Sequence, residues 1–202
     1  MKAALLHQFD ESLNDPDWLS YEDVPEPVIE EPTDVIVRIG GAGGCGTDLK
    51  LIKGLWCNHM RIKLPIILGH ENAGWVEEIG GVVESVQVGD PVILHPTGAG
   101  GLEASEATGN HSSRKRGLYP GFNRNGGFAE YMLAEESMLL KLPSHLSPMD
   151  MAPLADAGLT AYNVARRASK HLAPGHYTLV IGAGGLGHLC IQILRALSST
   201  EI

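Results

Sequence analysis

A histidine and a glutamate stand side by side, as His70 and Glu71, in the glycine-punctuated stretch from Gly69 to Gly80. A cysteine precedes this stretch and an aspartate follows it, as Cys45 and Asp156. Together with His70 they would supply a thiolate, an imidazole and a carboxylate, which are ligand classes of Zn²⁺, and three such ligands leave a fourth tetrahedral position for water or substrate. These residue types predict a catalytic metal site.

The neighbours of Cys45 favour a ligand over a buried hydrophobic residue, which is the usual role of an isolated cysteine. Glycines on both sides let the backbone bend tightly enough to aim the sulfur. Thr47 offers a hydroxyl that can hydrogen-bond a substrate oxygen. The carboxylate of Asp48 can accept a hydrogen bond from the ring nitrogen of a ligand histidine that does not bind the metal, and so fix the tautomer of the ring. We therefore predict catalytic roles for Thr47 and Asp48.

The other three candidates each have a second interpretation. A histidine taken alone is more often a core or surface residue, but His70 follows an apolar run and is the best ligand candidate among the nine histidines. Glu71 is either a hydrogen-bond partner of a ligand or a ligand that exchanges with water. Asp156, judged only by its surroundings, is interpreted as a helix cap, because aspartate is favoured at that position.

The chain before about Pro143 has the pattern of short strands between glycine and proline turns. Helical periodicity is scarce there, which predicts a β-rich barrel or sandwich-like domain. We expect an irregular polar lobe from Gly98 to Arg116. The predicted strands are Lys2–Leu6, Val35–Gly40, Asn72–Ile79, Pro91–His95 and Phe128–Leu133.

The pattern changes after Ser147, which can cap a helix that has Pro148 at its first position. A second helix is predicted at Gly158–Ser169. The apolar run Tyr177–Ile181 predicts a buried parallel strand, followed by a glycine turn and a helix to about Leu197. This order is the one that a dinucleotide site requires. The predicted coenzyme-binding residues are those of the turn, Gly182, Gly184, Gly185, Leu186 and Gly187.

These motifs resemble the zinc-dependent medium-chain alcohol dehydrogenases over essentially the whole chain. The spacing Gly69-His70-Glu71-(two residues)-Gly74-(five residues)-Gly80-(two residues)-Val83 is similar to the zinc signature of that family, and Val88-Gly89-Asp90-Pro91-Val92 resembles the turn that follows it. The resemblance implies a mainly β GroES-like catalytic domain at residues 1–150. Residues 151–202 would then be connecting helices and the first βα unit of a truncated α/β Rossmann domain.

The resemblance also implies a ligand set and a reaction. Cys45, His70 and Asp156 are similar to the family's zinc ligands, the third of which is either cysteine or aspartate. The implied reaction is reversible hydride transfer between a primary or secondary alcohol and NAD(P), with zinc as a Lewis acid on the substrate oxygen. Thr47 would pass the proton outward, while Lys50 stands where many relatives complete the relay with a histidine. The implied partners are a small alcohol, its aldehyde or ketone, and a second copy in a homodimer or homotetramer.

One departure from the family pattern concerns a structural zinc. Relatives often bind it through four closely spaced cysteines, but no cysteine lies between Asp90 and Gly127 here. The residues with metal-binding side chains in that interval are expected to form an ordinary loop. We therefore expect one catalytic zinc and no structural zinc. The residues concerned are His95, Glu103, Glu106 and His111.

A second departure is the end of the chain at Ile202, where the next strand of a dinucleotide fold would begin. The acidic residue that reads the ribose lies about 20 residues past the glycine motif, so the choice between NAD and NADP cannot be read from this sequence. A lone strand and helix cannot bury both faces of a parallel sheet. We expect that part to be exposed, swapped or poorly ordered, and this N-terminal portion to be inactive by itself.

Composition excludes several other classes. A formal charge of −9 disfavours a nucleic-acid surface, which needs clustered lysine and arginine. The sequence contains no membrane-length apolar run and no signal peptide, and its three scattered cysteines suit a reducing compartment, so a cytoplasmic protein without disulfides is expected. The competing interpretation is a non-catalytic GroES-like module that binds zinc or a partner. A zinc-free quinone reductase is disfavoured, because such relatives lack the three-ligand set.

Overall fold

The computed structural model describes residues 1–14, 17–57, 62–97 and 119–202. Its internal contacts divide the chain into two compact units, Met1–Ala155 and Asp156–Ile202. The predicted lobe from Gly98 to Arg116, with Glu103, Glu106 and His111, lies outside the described residues.

The first unit is mainly β, as the sequence predicts. Its described strands are β1 (Lys2–Leu6), β2 (Ser20–Asp23), β3 (Asp34–Gly43), β4 (Ile66–Ile67), β5 (Glu71–Ile79), β6 (Pro91–Leu94), β7 (Tyr131–Glu135) and β8 (Leu139–Lys141). One antiparallel sheet has the order β2-β1-β4, and the other has the order β7-β3-β5-β6-β8. All five predicted strands are present with small shifts at their ends. The three short strands β2, β4 and β8 were not predicted, because two to four residues carry too little periodicity.

The longest strand pair, β3 with β5, runs through the middle of the five-stranded sheet. Val35 and Val37 on β3 and Val76 on β5 are fully buried and form the centre of one apolar cluster. Their period-two spacing is what places them on the same face of the sheet. Two irregularities interrupt the register of this pair, at Ile36/Val37 and at Ile39/Gly41.

Two short helices of the first unit lie entirely within the described residues. Helix α1 (Gly46–Ile52) follows β3 and was not predicted, since seven residues span only two turns. Helix α2 (Pro148–Met151) starts at the predicted proline and continues into a 3₁₀ turn at Ala152–Ala155. Ser147 stands at its N-cap position, but the predicted capping role is wrong, because its side chain makes no capping hydrogen bond.

The second unit contains helices α3 (Ala157–Ser169) and α4 (Gly185–Leu197), which pack against each other close to their predicted bounds. The predicted buried strand at Tyr177–Ile181 is wrong for the described residues. Only one parallel bridge, from Tyr177 to Glu201, is formed, and Ile181 is 90% exposed. An extended segment needs hydrogen-bonded neighbouring strands to become a sheet strand. No helix within the described ranges is long and apolar enough to cross a membrane.

Candidate metal centre

Cys45 lies at the junction between β3 and α1, as the N-cap residue of the helix. Its backbone is extended, with φ −103° and ψ 151°. The N–H of Cys45 donates to Asp48 Oδ2 at 2.8 Å, and the N–H of Thr47 donates to Cys45 Sγ at 3.5 Å. These reciprocal bonds form a capping box, with the cysteine sulfur in the place of the usual hydroxyl. The sulfur is therefore held in a defined position by the start of the helix.

His70 lies between β4 and β5 and is only 4% exposed. The preceding residue, Gly69, has φ +96°, and a Cβ there would lie 2.6 Å from the ring of Phe128. Only glycine meets both conditions without strain. The imidazole also packs against the ring of Phe122, with centroids 5.0 Å apart and planes at 55°. The ring is thus enclosed by a tight backbone corner and an aromatic side chain.

Asp48 lies next to the Nδ1 atom of the same imidazole. Its Oδ1 lies 3.2 Å from His70 Nδ1, which is an ion-pair distance, although the two atoms are not aligned for a good hydrogen bond. Both side chains are buried. If Nδ1 carries the proton toward Asp48, Nε2 is the nitrogen that remains for a metal. The predicted proximity of Asp48 and the histidine is observed, while its catalytic role stays a prediction.

Glu71 is also buried, at 4% exposure, and pairs across the sheet with Gly43. A Cβ on Gly43 would collide with the Glu71 carboxylate, so this carboxylate lies directly over the last residue of β3. No local pattern indicates this contact, because the two residues meet only through strand pairing. Glu71 is therefore placed within the same region as Cys45, which follows Gly43 by two residues.

Ligand atoms of Cys45, His70 and Asp156 lie within 4.8 Å of one another. Small side-chain movements would bring such atoms to the separation of about 3.5 Å that tetrahedral zinc bonds require. Asp156 is the N-cap residue of α3, yet its side chain makes no capping hydrogen bond, so the alternative role as a cap has no support.

Two residues near α1 bear on the predicted proton relay. Lys50, at the position of the relatives' relay histidine, is exposed and holds its Nζ 5.5 Å from the ring centroid of Trp56. Trp56 is 38% exposed. Lys50 therefore faces an aromatic surface, in a cation–π contact, and the outer end of the relay is not identified by this geometry.

The glycine turn of the second unit has the features of a dinucleotide loop. Gly182 has φ +95°, Gly184 is the N-cap of α4, and a Cβ on Gly187 would collide with the carbonyl oxygen of Gly182. The five predicted coenzyme-binding residues thus lie together at the start of one 13-residue helix, whose free N–H groups attract phosphate. They line a groove of about 470 Å³ within this unit.

Sequence reasoning missed two residues that surround His70. Phe122 lies in a turn whose glycine and proline signals were recognised, but ring packing between distant segments has no local signal. Asn72, only 1% exposed, was treated as an ordinary strand residue. A carboxamide between Glu71 and the small residues Ala73 and Gly74 was the one available sign.

The sequence of this chain is similar to those of known dehydrogenases. The model of the alcohol dehydrogenase GroES-like domain matches residues 31–144. The D-arabinose 1-dehydrogenase (NADP(+)) of Saccharolobus solfataricus is 44% identical over 202 residues, covering 97% of this chain and 54% of that protein. An alcohol dehydrogenase of Geobacillus stearothermophilus is 35% identical over 198 residues, covering 98% of this chain and 55% of that protein.

The fold of this chain is similar to solved structures of dehydrogenases. The alcohol dehydrogenase of the archaeon Aeropyrum pernix matches with a TM-score of 0.86 at 45% identity, over 99% of this chain and 57% of that one. The D-arabinose dehydrogenase of Sulfolobus solfataricus matches with a TM-score of 0.76 at 40% identity, over 97% and 57%. The chain therefore spans about half the length of the relatives it matches.

Proposed function

The chain belongs to the zinc-dependent medium-chain alcohol dehydrogenase family, and on that basis we propose that the protein transfers a hydride reversibly between a primary or secondary alcohol and NAD(P). The observation that carries the proposal is the convergence of Cys45, His70 and Asp156 within 4.8 Å. The three residues come from separate segments of the sequence, and their side chains together offer one thiolate, one imidazole and one carboxylate.

The donor set fits zinc. A thiolate, an imidazole and a carboxylate are all ligands that Zn²⁺ accepts, and a site with three protein ligands keeps one position open for a substrate oxygen. When bound, the ion would supply Lewis-acid polarisation of that oxygen. The two anionic ligands, Cys45 and Asp156, would offset its charge, so the acidification of the alcohol should be milder than in a site with three neutral ligands.

The other residues of the site would orient the ligands and move a proton. Asp48 would hold the Nδ1 proton of His70 and leave Nε2 for the metal, which its distance of 3.2 Å supports. Glu71 would either hydrogen-bond a ligand or replace water at the metal. Thr47, in the first turn of α1, would accept the hydroxyl proton of the alcohol at Oγ1 and release its own hydroxyl proton to water, while the hydride leaves the carbon that bears the oxygen for the nicotinamide ring.

The coenzyme would bind at the glycine turn of the second unit. The N-terminus of α4 offers backbone N–H groups to the pyrophosphate, and Gly184 leaves its backbone open to close approach. The relatives include proteins named for NAD and for NADP(+), so both coenzymes are proposed.

The proposed substrate class includes both simple alcohols and sugars that carry an oxidisable hydroxyl group. One relative is named for D-arabinose and others for alcohols, and both kinds of molecule present a hydroxyl on a carbon that can lose a hydride. We further propose a single catalytic zinc and no structural zinc, and a homodimer or homotetramer as the assembled form.

The proposal is tested by metal analysis and turnover on the same preparations. The whole protein, rather than this half-length chain alone, should bind one zinc ion and reduce NAD⁺ or NADP⁺ with a secondary alcohol or an aldose, and Cys45→Ser should lose both properties. Cys57→Ser is the matched control and should keep them. Absence of zinc binding by the wild type would overturn the metal centre. Stoichiometric zinc without coenzyme-linked turnover would instead favour the non-catalytic GroES-like module.

A further inference from the structure

Asn72 is the most deeply buried polar residue next to the predicted ligands. It is the second residue of β5 and is 1% exposed. Its Nδ2 donates to the carbonyl oxygen of Gly69 at 3.1 Å and approaches Met132 Sδ at 3.5 Å, while its Oδ1 has no hydrogen-bond partner among the described residues. Burying a carboxamide with an unmatched acceptor destabilises the fold, so a residue kept there needs a physical reason.

The carboxamide closes a short corner that contains only the two predicted site residues. The corner runs from Gly69 to Asn72, and its inner residues are His70 and Glu71. Gly69 has the left-handed φ of +96°, and the bond from Asn72 Nδ2 returns to the carbonyl of the same residue. The bond therefore restrains the backbone on both sides of His70 at once.

A neighbouring loop supports the corner from outside. The N–H of Gly127 donates to the same Gly69 oxygen at 3.0 Å, and the N–H of Phe128 donates to Leu68 O at 3.0 Å. A Cβ on Gly127 would collide with the Asn72 carboxamide, so this loop approaches as closely as a backbone can. Gly69 O is thus fixed by two donors, of which only Asn72 belongs to the strand that follows the ligand.

We propose that Asn72 is a positioning residue for the metal centre, because its carboxamide sets the backbone of the Gly69–Asn72 corner and thereby the direction of the His70 ring. Asn72 acts through His70 and touches neither the metal nor the substrate. The inference rests on the proposed zinc site and adds to it a residue that orients a ligand through the backbone rather than through its ring nitrogen.

The proposal predicts that Asn72→Leu weakens zinc binding, whereas a core substitution on the same strand lowers only fold stability. Asn72→Leu keeps the number and branching of the side-chain heavy atoms and removes the donor. Zinc affinity of the folded protein, measured by competition with a chelator, should fall about ten-fold or more, which is the usual effect of removing a partner that orients a ligand. Cobalt substituted for zinc should show a changed visible spectrum, which reports ligand geometry directly.

Val76→Ala is the matched control, since Val76 lies on the same strand and is equally buried but faces the apolar cluster. It should lower the unfolding free energy of the metal-free protein in urea while leaving zinc affinity and the cobalt spectrum unchanged. If Asn72→Leu behaves as Val76→Ala does, Asn72 is only a core residue and the proposal is overturned.

A second variant tests the proposal if Asn72→Leu does not fold. Gly127→Ala pushes on the same carboxamide without replacing it and should also weaken zinc binding and alter the cobalt spectrum. Unchanged binding in a folded Gly127→Ala protein would contradict the proposal. Failure of the proposed function is distinguishable, because in that case the wild type itself binds no zinc at Cys45.

Discussion

The carboxylate of Asp48 connects two predicted zinc ligands, since its Oδ1 lies 3.2 Å from His70 Nδ1 and its Oδ2 accepts the N–H of Cys45 at 2.8 Å. It therefore both caps α1 and faces the imidazole. One buried side chain links the start of a helix to a corner before β5, and the distance between the two ligands depends on it.

Asp48→Asn should lower zinc affinity about 10- to 100-fold, because a neutral amide is a weaker acceptor for the imidazole N–H than a carboxylate. The measurement is a chelator competition on the folded protein. Glu136→Gln is the control, since Glu136 accepts the N–H groups of Glu84 and Ser85 outside the centre. Equal zinc affinity in Asp48→Asn and wild type would show that the charge at position 48 does not orient the ligand.

Cys45→Ser and Asp156→Asn should each abolish stoichiometric zinc binding, since each removes one of three protein ligands. In cobalt-loaded protein, Cys45→Ser should also lose the near-ultraviolet absorption of a thiolate–cobalt bond, whereas Asp156→Asn should keep it in any metal that still binds. Cys190→Ser and Asp150→Asn are the controls and should match the wild type. Retention of the thiolate band in Cys45→Ser would place the metal elsewhere.

Gly74→Ala should destabilise the protein by about 1–3 kcal/mol or more, because the new Cβ would collide with the backbone carbonyl of Arg38 on β3. Backbone in the middle of a sheet cannot move aside as a flexible side chain can. The control is Gly81→Ala, where a Cβ meets nothing within 4 Å. Urea unfolding of the metal-free proteins checks this, and equal midpoints for the two variants would contradict it.

Gly184→Ala should impair coenzyme binding, whereas Gly187→Ala should impair the stability of the glycine turn. At Gly184 a Cβ meets nothing within 4 Å, so stability should be unchanged, but the methyl group would obstruct the pyrophosphate and weaken NAD(P) binding. At Gly187 a Cβ would collide with Gly182 O, so the turn itself should be destabilised. Coenzyme titration and thermal unfolding on both variants separate the effects. Normal coenzyme affinity in Gly184→Ala would argue against the proposed phosphate position.

The ion pair of Asp90 with Lys141 should make stability fall in acid. Burial raises the pKa of Asp90, but hydrogen bonds from Lys141 Nζ at 2.6 Å and from the N–H of Gln87 at 3.0 Å, together with the lysine charge, hold that pKa below its usual value. A carboxyl whose pKa is lower in the folded than in the unfolded chain stabilises the fold above the unfolded pKa of about 3.9, and this contribution is lost as pH falls through the folded pKa.

Wild type should therefore exceed Asp90→Asn in unfolding free energy by a constant amount from pH 7 to about 5, and the difference should shrink below about pH 4. Asp23→Asn is the comparison. The pKa of Asp23 is lowered by its hydrogen bond to Lys2, but this pair is exposed and screened by water, so its effect should be smaller. A difference for Asp90→Asn that persists unchanged to pH 2 would contradict the prediction.

Local pattern was enough to predict most of the strands and helices around the candidate sites, although α1, which Cys45 caps, was not predicted. Period-two alternation predicted β5, and the glycine turn with a following helix predicted α4 at nearly its observed start. The same patterns failed where an element depends on distant neighbours. The Tyr177–Ile181 run has the composition of a buried strand, yet among the described residues it has only Glu201 to pair with.

The sequence by itself determined the family and the candidate ligands, through a cysteine between glycines, the His70–Glu71 pair and the family spacing. The tertiary structure decided how they meet. Pairing of β3 with β5 sets Gly43 against Glu71, and the corner closed by Asn72 turns His70 toward Asp48. These contacts join residues far apart in sequence, and no local pattern encodes them, because they depend on strand register and on close backbone approach.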